Sequence, residues 1–303
     1  MNYSVCLNLY PSLLLNSYQQ MVNQQFDGEA HAQIYSLYRP DIPSDIAEKS
    51  VEFLKKKFDG TLEVAVDVGC GSGQSSVILA PFFRRVRGID VSEAQIQEAK
   101  KHRVCSNVEY AVQEAETLPF ENGSVQLVTA GASLHWFDLE VFFREVRRIL
   151  TPGGVFVAYT YHSLRPLLDC PLRMKEVGAI YKQIYDDLYP YWPPEAHLSL
   201  EKYKNVHFPF EEVLRIPDIR QMFNGKLSDL VGFIESMSSF QIMKKKDSTE
   251  AESFIHRFRV NVWTLVPVGL GGQLSVHSTV DEMASEAADC RHTYTMANCP
   301  QRR

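Results

Sequence analysis

Three glycines at alternate positions, Gly69, Gly71 and Gly73, follow the apolar run Val64-Ala65-Val66-Asp67-Val68 and lead into the helix-compatible Ser75-Ser76-Val77-Ile78-Leu79-Ala80. Glycine adopts positive φ without steric cost and lets the backbone approach a ligand closely, so this strand, loop and helix start read as a nucleotide-type cofactor site. A second apolar segment, Val86-Arg87-Gly88-Ile89, ends in Asp90. That carboxylate falls about twenty positions after the loop, the separation at which an acidic side chain reaches ribose hydroxyls in a βαβ unit. Asp90 could instead cap the next helix, but Ser92 already fills that role ahead of Glu93, Ala94, Gln95 and Ile96.

The elements that must hold these groups are buried parallel strands, which appear in sequence as continuous β-branched runs. The chain has 303 residues, 45% hydrophobic and 22% charged, enough for a large core or for a core with a cap over it. Its net charge of −6 argues against a nucleic-acid footprint. The runs Lys55-Lys56-Lys57 and Lys244-Lys245-Lys246 are short and local, as at solvated helix ends. Six cysteines, at 6, 70, 105, 170, 290 and 299, make no Cys-x-x-Cys pair and no metal-ligand spacing with histidine, so no metal is expected and the thiols read as reduced. No apolar run has the length of a membrane span, and Leu7 to Leu15 lacks the basic leader and cleavage site of a secretory signal. A soluble, cytoplasmic protein is expected, with no membrane or nucleic-acid partner. Its oligomeric state is unread.

The spacing Gly69-x-Gly71-x-Gly73, with Asp67 near the strand end, resembles the S-adenosylmethionine loop of class I methyltransferases and differs from the Gly-x-Gly-x-x-Gly of nicotinamide enzymes. The resemblance continues in order to Tyr161. Glu109 to Phe120 is similar to the family's third strand and acidic loop, Ser124 to Thr129 to its fourth strand, and Leu150-Thr151-Pro152-Gly153-Gly154 to the turn before a fifth strand, Val155 to Tyr159. It implies an α/β fold: a doubly wound, mostly parallel Rossmann-like sheet with an N-terminal lid and a helical cap insertion. It also implies S-adenosyl-L-methionine as cofactor, with Asp67, Gly69, Cys70 and Gly71 at its methionine end, Asp90 at the ribose, and Glu114 with Ala115 at the adenine. Relatives usually carry Asp where this chain has Glu114, and many carry Asp where it has Gln126.

Ala130 to Asp138, with its His135-Trp136 pair, resembles the methyltransferase type 11 branch that includes trans-aconitate methyltransferases. In that branch the pair follows the fourth strand at the carboxyl edge, where open α/β sheets bind ligands. His135 and Trp136 would then flank the transferred methyl, the indole through cation–π contact with a sulfonium. Phe26 to Ala30 and Tyr35-Ser36-Leu37-Tyr38-Arg39-Pro40 resemble the branch's lid. Arginine binds carboxylates bidentately and tyrosine supplies a ring and a donor, so Tyr35, Tyr38 and Arg39 suit an acidic acceptor. The same residues also fit an amphipathic helix ending at Pro40, with Tyr35 and Tyr38 packed one turn apart.

The expected organisation is an extension and lid over 1–43, a cofactor-binding core over 44–162, a helical substrate cap over 163–258 and a divergent, partly disordered tail over 259–303. Within the cap, Leu227 to Phe240 resembles a cap helix with Ser228 and Asp229 at its start, and Arg165, Trp192 and Tyr203 are pocket candidates. Arg259 to Val268 alternates like a strand until Pro267 and the glycines beyond it break the pattern. The function expected is methyl transfer to a small molecule, most plausibly at a carboxylic acid oxygen. The alternatives are a non-catalytic S-adenosylmethionine-binding protein with an impaired carboxyl terminus and, given the shared doubly wound sheet, a nicotinamide-dependent oxidoreductase.

Overall fold

The computed structural model describes residues 28–102, 105–161, 165–166, 168, 170–220, 223–265, 273–276 and 291–299. Its centre is a seven-stranded sheet of order β3-β2-β1-β4-β5-β9-β6. The strands are β1 (Val64–Val68), β2 (Arg85–Asp90), β3 (Val108–Val112), β4 (Val125–Gly131), β5 (Leu150–Thr160), β6 (Glu212–Arg220) and β9 (Arg291–Asn298). The first five pair in parallel, Val66 lying opposite Arg87 on one side and Val128 on the other. The strand order reverses beside β1, and β1 and β4 end at the same edge, so the crevice for a ligand opens between Gly69 and Gly131.

Helices cover both faces. Helix α1 (Glu29–Tyr38) stops at Arg39, whose extended ψ of 139° precedes Pro40. Helix α2 (Ser44–Lys55) buries Ile46, Ala47, Ser50, Val51, Phe53 and Leu54, the stripe that a surface helix turns towards a sheet. A short α3 (Gln74–Val77) leaves the glycine loop, and α4 (Glu93–Lys101) starts at Ser92, whose hydroxyl accepts from Gln95 N–H at 3.3 Å. On the opposite face α5 (Leu139–Ile149) buries Phe142, Phe143, Val146 and Ile149 against β4 and β5, with Asp138 as its N-cap.

A second core forms over the carboxyl edge from α6 (Pro171–Leu188), α8 (Leu227–Glu235), α9 (Ser238–Lys246) and α10 (Ser248–Trp263). The short α7 (Ala196–Leu200) packs Leu198 against the core of the sheet instead, and a two-stranded ladder of β7 (Phe223–Lys226) with β8 (Gln273–Val276) adjoins α8. The cap helix expected over Leu227 to Phe240 breaks at Ser236 and Met237 into α8 and α9, and Asp229 accepts from Lys226 N–H at its start.

Three expectations are corrected. The segment from Arg259 is not a strand: Ala251, Phe254, Ile255, Phe258 and Val262 are buried at helical spacing, so 259–263 continues α10. The region 163–258 is not wholly helical, since β6 joins the sheet edge and β7 lies within it. The tail contains an ordered strand: β9 runs antiparallel between β5 and β6, Val157 opposite Met296 and Leu214 opposite Met296 from the other side. Residues 1–27, 266–272 and 277–290 lie outside the described residues, and with them Phe26, Asp27 and the glycines after Pro267.

Candidate cofactor and acceptor site

The glycine loop carries the first half of the site. Gly69 and Gly71 adopt φ of 67° and 53°, and a Cβ on Gly69 would stand 2.5 Å from that of Ser133, so only glycine lets β1 and the β4 turn meet here. Asp90 Oδ2 accepts from Gly71 N–H and Oδ1 from Ser92 N–H, both at 2.9 Å, which ties the loop to the end of β2. Burial pushes the Asp90 pKa up while those backbone bonds pull it down. The loop, Asp90, Gln95, Gln113, Ala115, Ala132, Trp136 and Tyr35 surround a cavity of about 660 Å³. Gln95 Oε1 is buried without a hydrogen-bond partner beside Gly71, an acceptor waiting for a ligand donor.

The loop behind Gln113 and Ala115 is clamped from α5. Glu145 accepts from Leu118 N–H, and Arg148 donates to the Leu118 and Phe120 carbonyls at 2.8 and 2.7 Å. The Arg148 guanidinium, hydrogen-bonded to Glu145, holds that carboxyl below its ordinary range.

A second cavity, about 610 Å³ and open at its mouth, shares Tyr35, Ala132 and Trp136 with the first. Arg39 lies along it. Its guanidinium donates to the Ser236 carbonyl at 3.0 Å and to the Tyr161 hydroxyl at 3.3 Å, while its Nε is buried with no partner. The rings of Tyr35, Phe233 and Tyr161 lie 4.5, 5.0 and 5.8 Å from the guanidinium carbon. Among the described residues no carboxylate pairs with this cation. Arg39 is half-buried and its guanidinium is held by neutral groups alone; desolvation pulls its pKa down, and the Tyr161 and Tyr35 side chains push it up against that.

His135 and Trp136 occupy a single 3-10 turn, Leu134–Trp136, directly after β4. His135 Nδ1 meets the Tyr203 hydroxyl at 3.0 Å, and burial, reinforced by the charge of Arg39, lowers the imidazole pKa to about 3. It is therefore neutral at physiological pH and a weak base. Backbone strain gathers here: Ala132, Lys202 and Tyr203 have φ of 52°, 58° and 54°, and each such conformation costs about 1–3 kcal/mol.

Tyr35, Arg39, His135 and Trp136 thus converge, as do Gly69, Gly71, Asp90 and Ala115. Four expected site residues stand elsewhere. Asp67 is fully buried behind the loop, where its carboxylate accepts from Ser75, Ser76 and Thr129 and pins α3 to β1 and β4. Cys70 lines a small side cavity by Arg39 and Gln74, its thiol pKa pushed well up by burial. Glu114 is exposed while its neighbours Gln113 and Ala115 face the cavity. Tyr38 lies against Gly232 of α8 and outside both cavities. Trp192 lines the acceptor cavity, Tyr203 backs His135, and Arg165 sits over the Tyr181 ring. Gln95 and Gln113 went unnoticed in sequence because glutamines beside a helix cap and a strand end look like solvated surface.

The strand order, the final antiparallel strand inside the edge and a glycine-loop cavity at the carboxyl ends define a class I S-adenosylmethionine-dependent methyltransferase. Residues 66–158 match the methyltransferase domain family, and that domain, the relatives and the solved structure below support a class I S-adenosylmethionine-dependent methyltransferase. A Dictyostelium discoideum protein named as a methyltransferase is 29% identical over 206 residues, 68% of this chain and 74% of its own length. A Saccharomyces cerevisiae protein named as an S-adenosylmethionine-dependent methyltransferase is 31% identical over 145 residues, and the match spans about half of each chain, 46% here and 47% there. A solved structure named as a type II methyltransferase from Anaeromyxobacter dehalogenans superimposes with a TM-score of 0.62 and 26% identity, over 87% of this chain and 100% of the other. S-adenosylmethionine is the cofactor, and the orphaned Gln95 oxygen, the Asp90 carboxylate and the bare glycine loop fit it.

Proposed function

We propose that the protein transfers a methyl group to a carboxylate oxygen of a small acid. The observation that carries this reading is Arg39, a half-buried cation with its Nε enclosed and no carboxylate partner among the described residues, on the wall of the cavity next to the cofactor space. S-adenosylmethionine supplies a methyl on a positively charged sulfur, open to displacement. A second fixed cation beside it favours an anionic acceptor and repels an ammonium.

The remaining tasks fall to the chain. Asp90 and Gln95 hold the nucleoside, Gly69 and Gly71 the methionine end, and Ala115 with Gln113 the adenine. Tyr35 and Trp136, shared by both cavities, present aromatic surface where the two ligands meet, excluding water and facing the sulfonium. Arg39 orients the acid. With the cofactor bound, a carboxylate oxygen held by Arg39 would take the methyl carbon as the carbon–sulfur bond breaks, leaving that bond's electron pair on sulfur, and no proton would need to move. This reaction asks nothing of His135 as a base, in keeping with its pKa of about 3. A hydroxyl or thiol acceptor would require a better one.

We assign the enzyme to the cytoplasm, a reading that the thiols of Cys70 and Cys170 support. Among the described residues no helix is long and apolar enough to cross a membrane. The non-catalytic alternative rested on a divergent, impaired carboxyl terminus; β9, paired between β5 and β6, supports the catalytic reading. The test is Arg39→Gln, assayed with a panel of carboxylic acids. KM for the best acid should rise at least tenfold, about 1.4 kcal/mol or more for a charge-assisted contact, with S-adenosylmethionine affinity held. An unchanged KM would remove Arg39 from acid binding.

A further inference from the structure

The acceptor cavity has an unusual balance of charge to apolar surface. Arg39 is the only residue on its described wall that carries a charge near neutral pH, because His135 is held neutral and Tyr161 is pushed further towards its protonated form by burial. The remaining wall is aromatic and aliphatic, chiefly Trp136, Trp192, Phe233 and Met237, with hydroxyls only from Ser199 and Ser238 besides the tyrosines. The guanidinium keeps donors for a single carboxylate, its partnerless Nε–H among them. Two of its N–H groups are committed to Ser236 and Tyr161, and the rings of Tyr35 and Phe233 stand within 5.0 Å of its carbon.

We propose that the acceptor is a monocarboxylic acid with an aromatic or alkyl body, its single carboxylate on Arg39 and its body against Trp136, Trp192, Phe233 and Met237. This rests on the carboxyl reading above and narrows it away from polyacids of the trans-aconitate kind. A second carboxylate on the acceptor would lose its hydration against indole, phenyl and thioether groups with no counter-charge to meet it. Discrimination comes from that unpaired charge more than from any additional contact to the preferred acid.

The experiment compares matched acceptors on the full chain with saturating S-adenosylmethionine, following S-adenosylhomocysteine release. 3-Phenylpropionate is set against its para-carboxy analogue, and hexanoate against adipate and trans-aconitate. The expected result is kcat/KM at least tenfold higher for each monocarboxylate. Met237→Lys places a second cation in the slot and should raise the dicarboxylate-to-monocarboxylate ratio at least tenfold. Ser238→Lys, at a partly exposed position on the same wall, does the same if the buried substitution does not fold. Equal or better turnover of the polyacids by the unaltered protein overturns the proposal and leaves carboxyl methylation standing. Turnover of amines or phenols with no ester from any acid overturns both.

Discussion

Asp90 and His135 show how burial sets what single residues can do. Asp90 keeps its carboxylate at the end of β2 by accepting from Gly71 and Ser92 N–H groups, so it shapes the loop and faces the cofactor cavity together. Replacing it with alanine should weaken S-adenosylmethionine binding by about 1.5–3 kcal/mol, a factor of roughly 10–150, as read by calorimetry. Unchanged affinity would remove it from the site. Burial, with the charge of Arg39, lowers the His135 pKa to about 3 in the folded protein, against 6.5 for a free imidazole. Below about pH 6.5 the unfolded chain therefore takes up a proton that the folded one refuses, and this residue's contribution to stability falls as pH drops towards 3, by up to about 1.4 kcal/mol per unit. Chemical denaturation at pH 7 and pH 4.5 should show the unaltered protein losing more stability than His135→Asn, by about 2 kcal/mol. An equal loss in both would mean that His135 titrates normally. Asp90 and the glycines were legible in sequence because their spacing follows from the backbone geometry of a βαβ unit. Arg39 was legible only as a chemical type, since its lack of a carboxylate partner depends on α8 and β5, which lie far off in the chain.

At the scale of elements, α1 owes its position to α8. Tyr38 packs on Gly232, His31 Nε2–H donates to the Ser236 carbonyl at 3.1 Å, and Arg39 donates to the same oxygen. A Cβ on Gly232 would stand 2.2 Å from Cγ of Tyr38, close to the root of that side chain, where rotation relieves little. Gly232→Ala gains about 1 kcal/mol in helix propensity but overpacks this contact by about 1–3 kcal/mol. Its expected outcome is a loss of stability with a several-fold weaker S-adenosylmethionine Kd, because Tyr35 is carried by the displaced α1. A stabilised variant with unchanged Kd would show that α1 does not depend on this contact. Helix α1 and its stop at Pro40 could be read directly, as could the Ser92 cap, both being local. Helix α10 was misread because Val260 and Val262 alternate with Arg259 and Asn261 over a few residues, while the helical spacing of Ala251, Phe254 and Phe258 shows only over a longer window.

The whole molecule is a doubly wound sheet whose carboxyl edge is roofed by a separate helical core, and the acceptor cavity lies where the two meet. The parallel half could be inferred in order from its runs and turns. The antiparallel end could not. Pro217 interrupts β6, where the register shifts between Ile216 and Ile219, and β9 buries Thr295, Met296 and Ala297 in succession, so neither strand shows a period of two. Sequence also could not reveal that one cation serves the whole described cavity wall, since that depends on which residues of six segments face inward. The central claim, methyl transfer to a carboxylate oxygen, is tested most directly by carbon NMR of the product formed from methyl-13C S-adenosylmethionine and a panel of carboxylic acids, amines and phenols. The account predicts a labelled ester methyl that is lost on mild alkaline hydrolysis. A labelled methyl on nitrogen or phenolic oxygen, stable to alkali, with no ester from any acid, would contradict it.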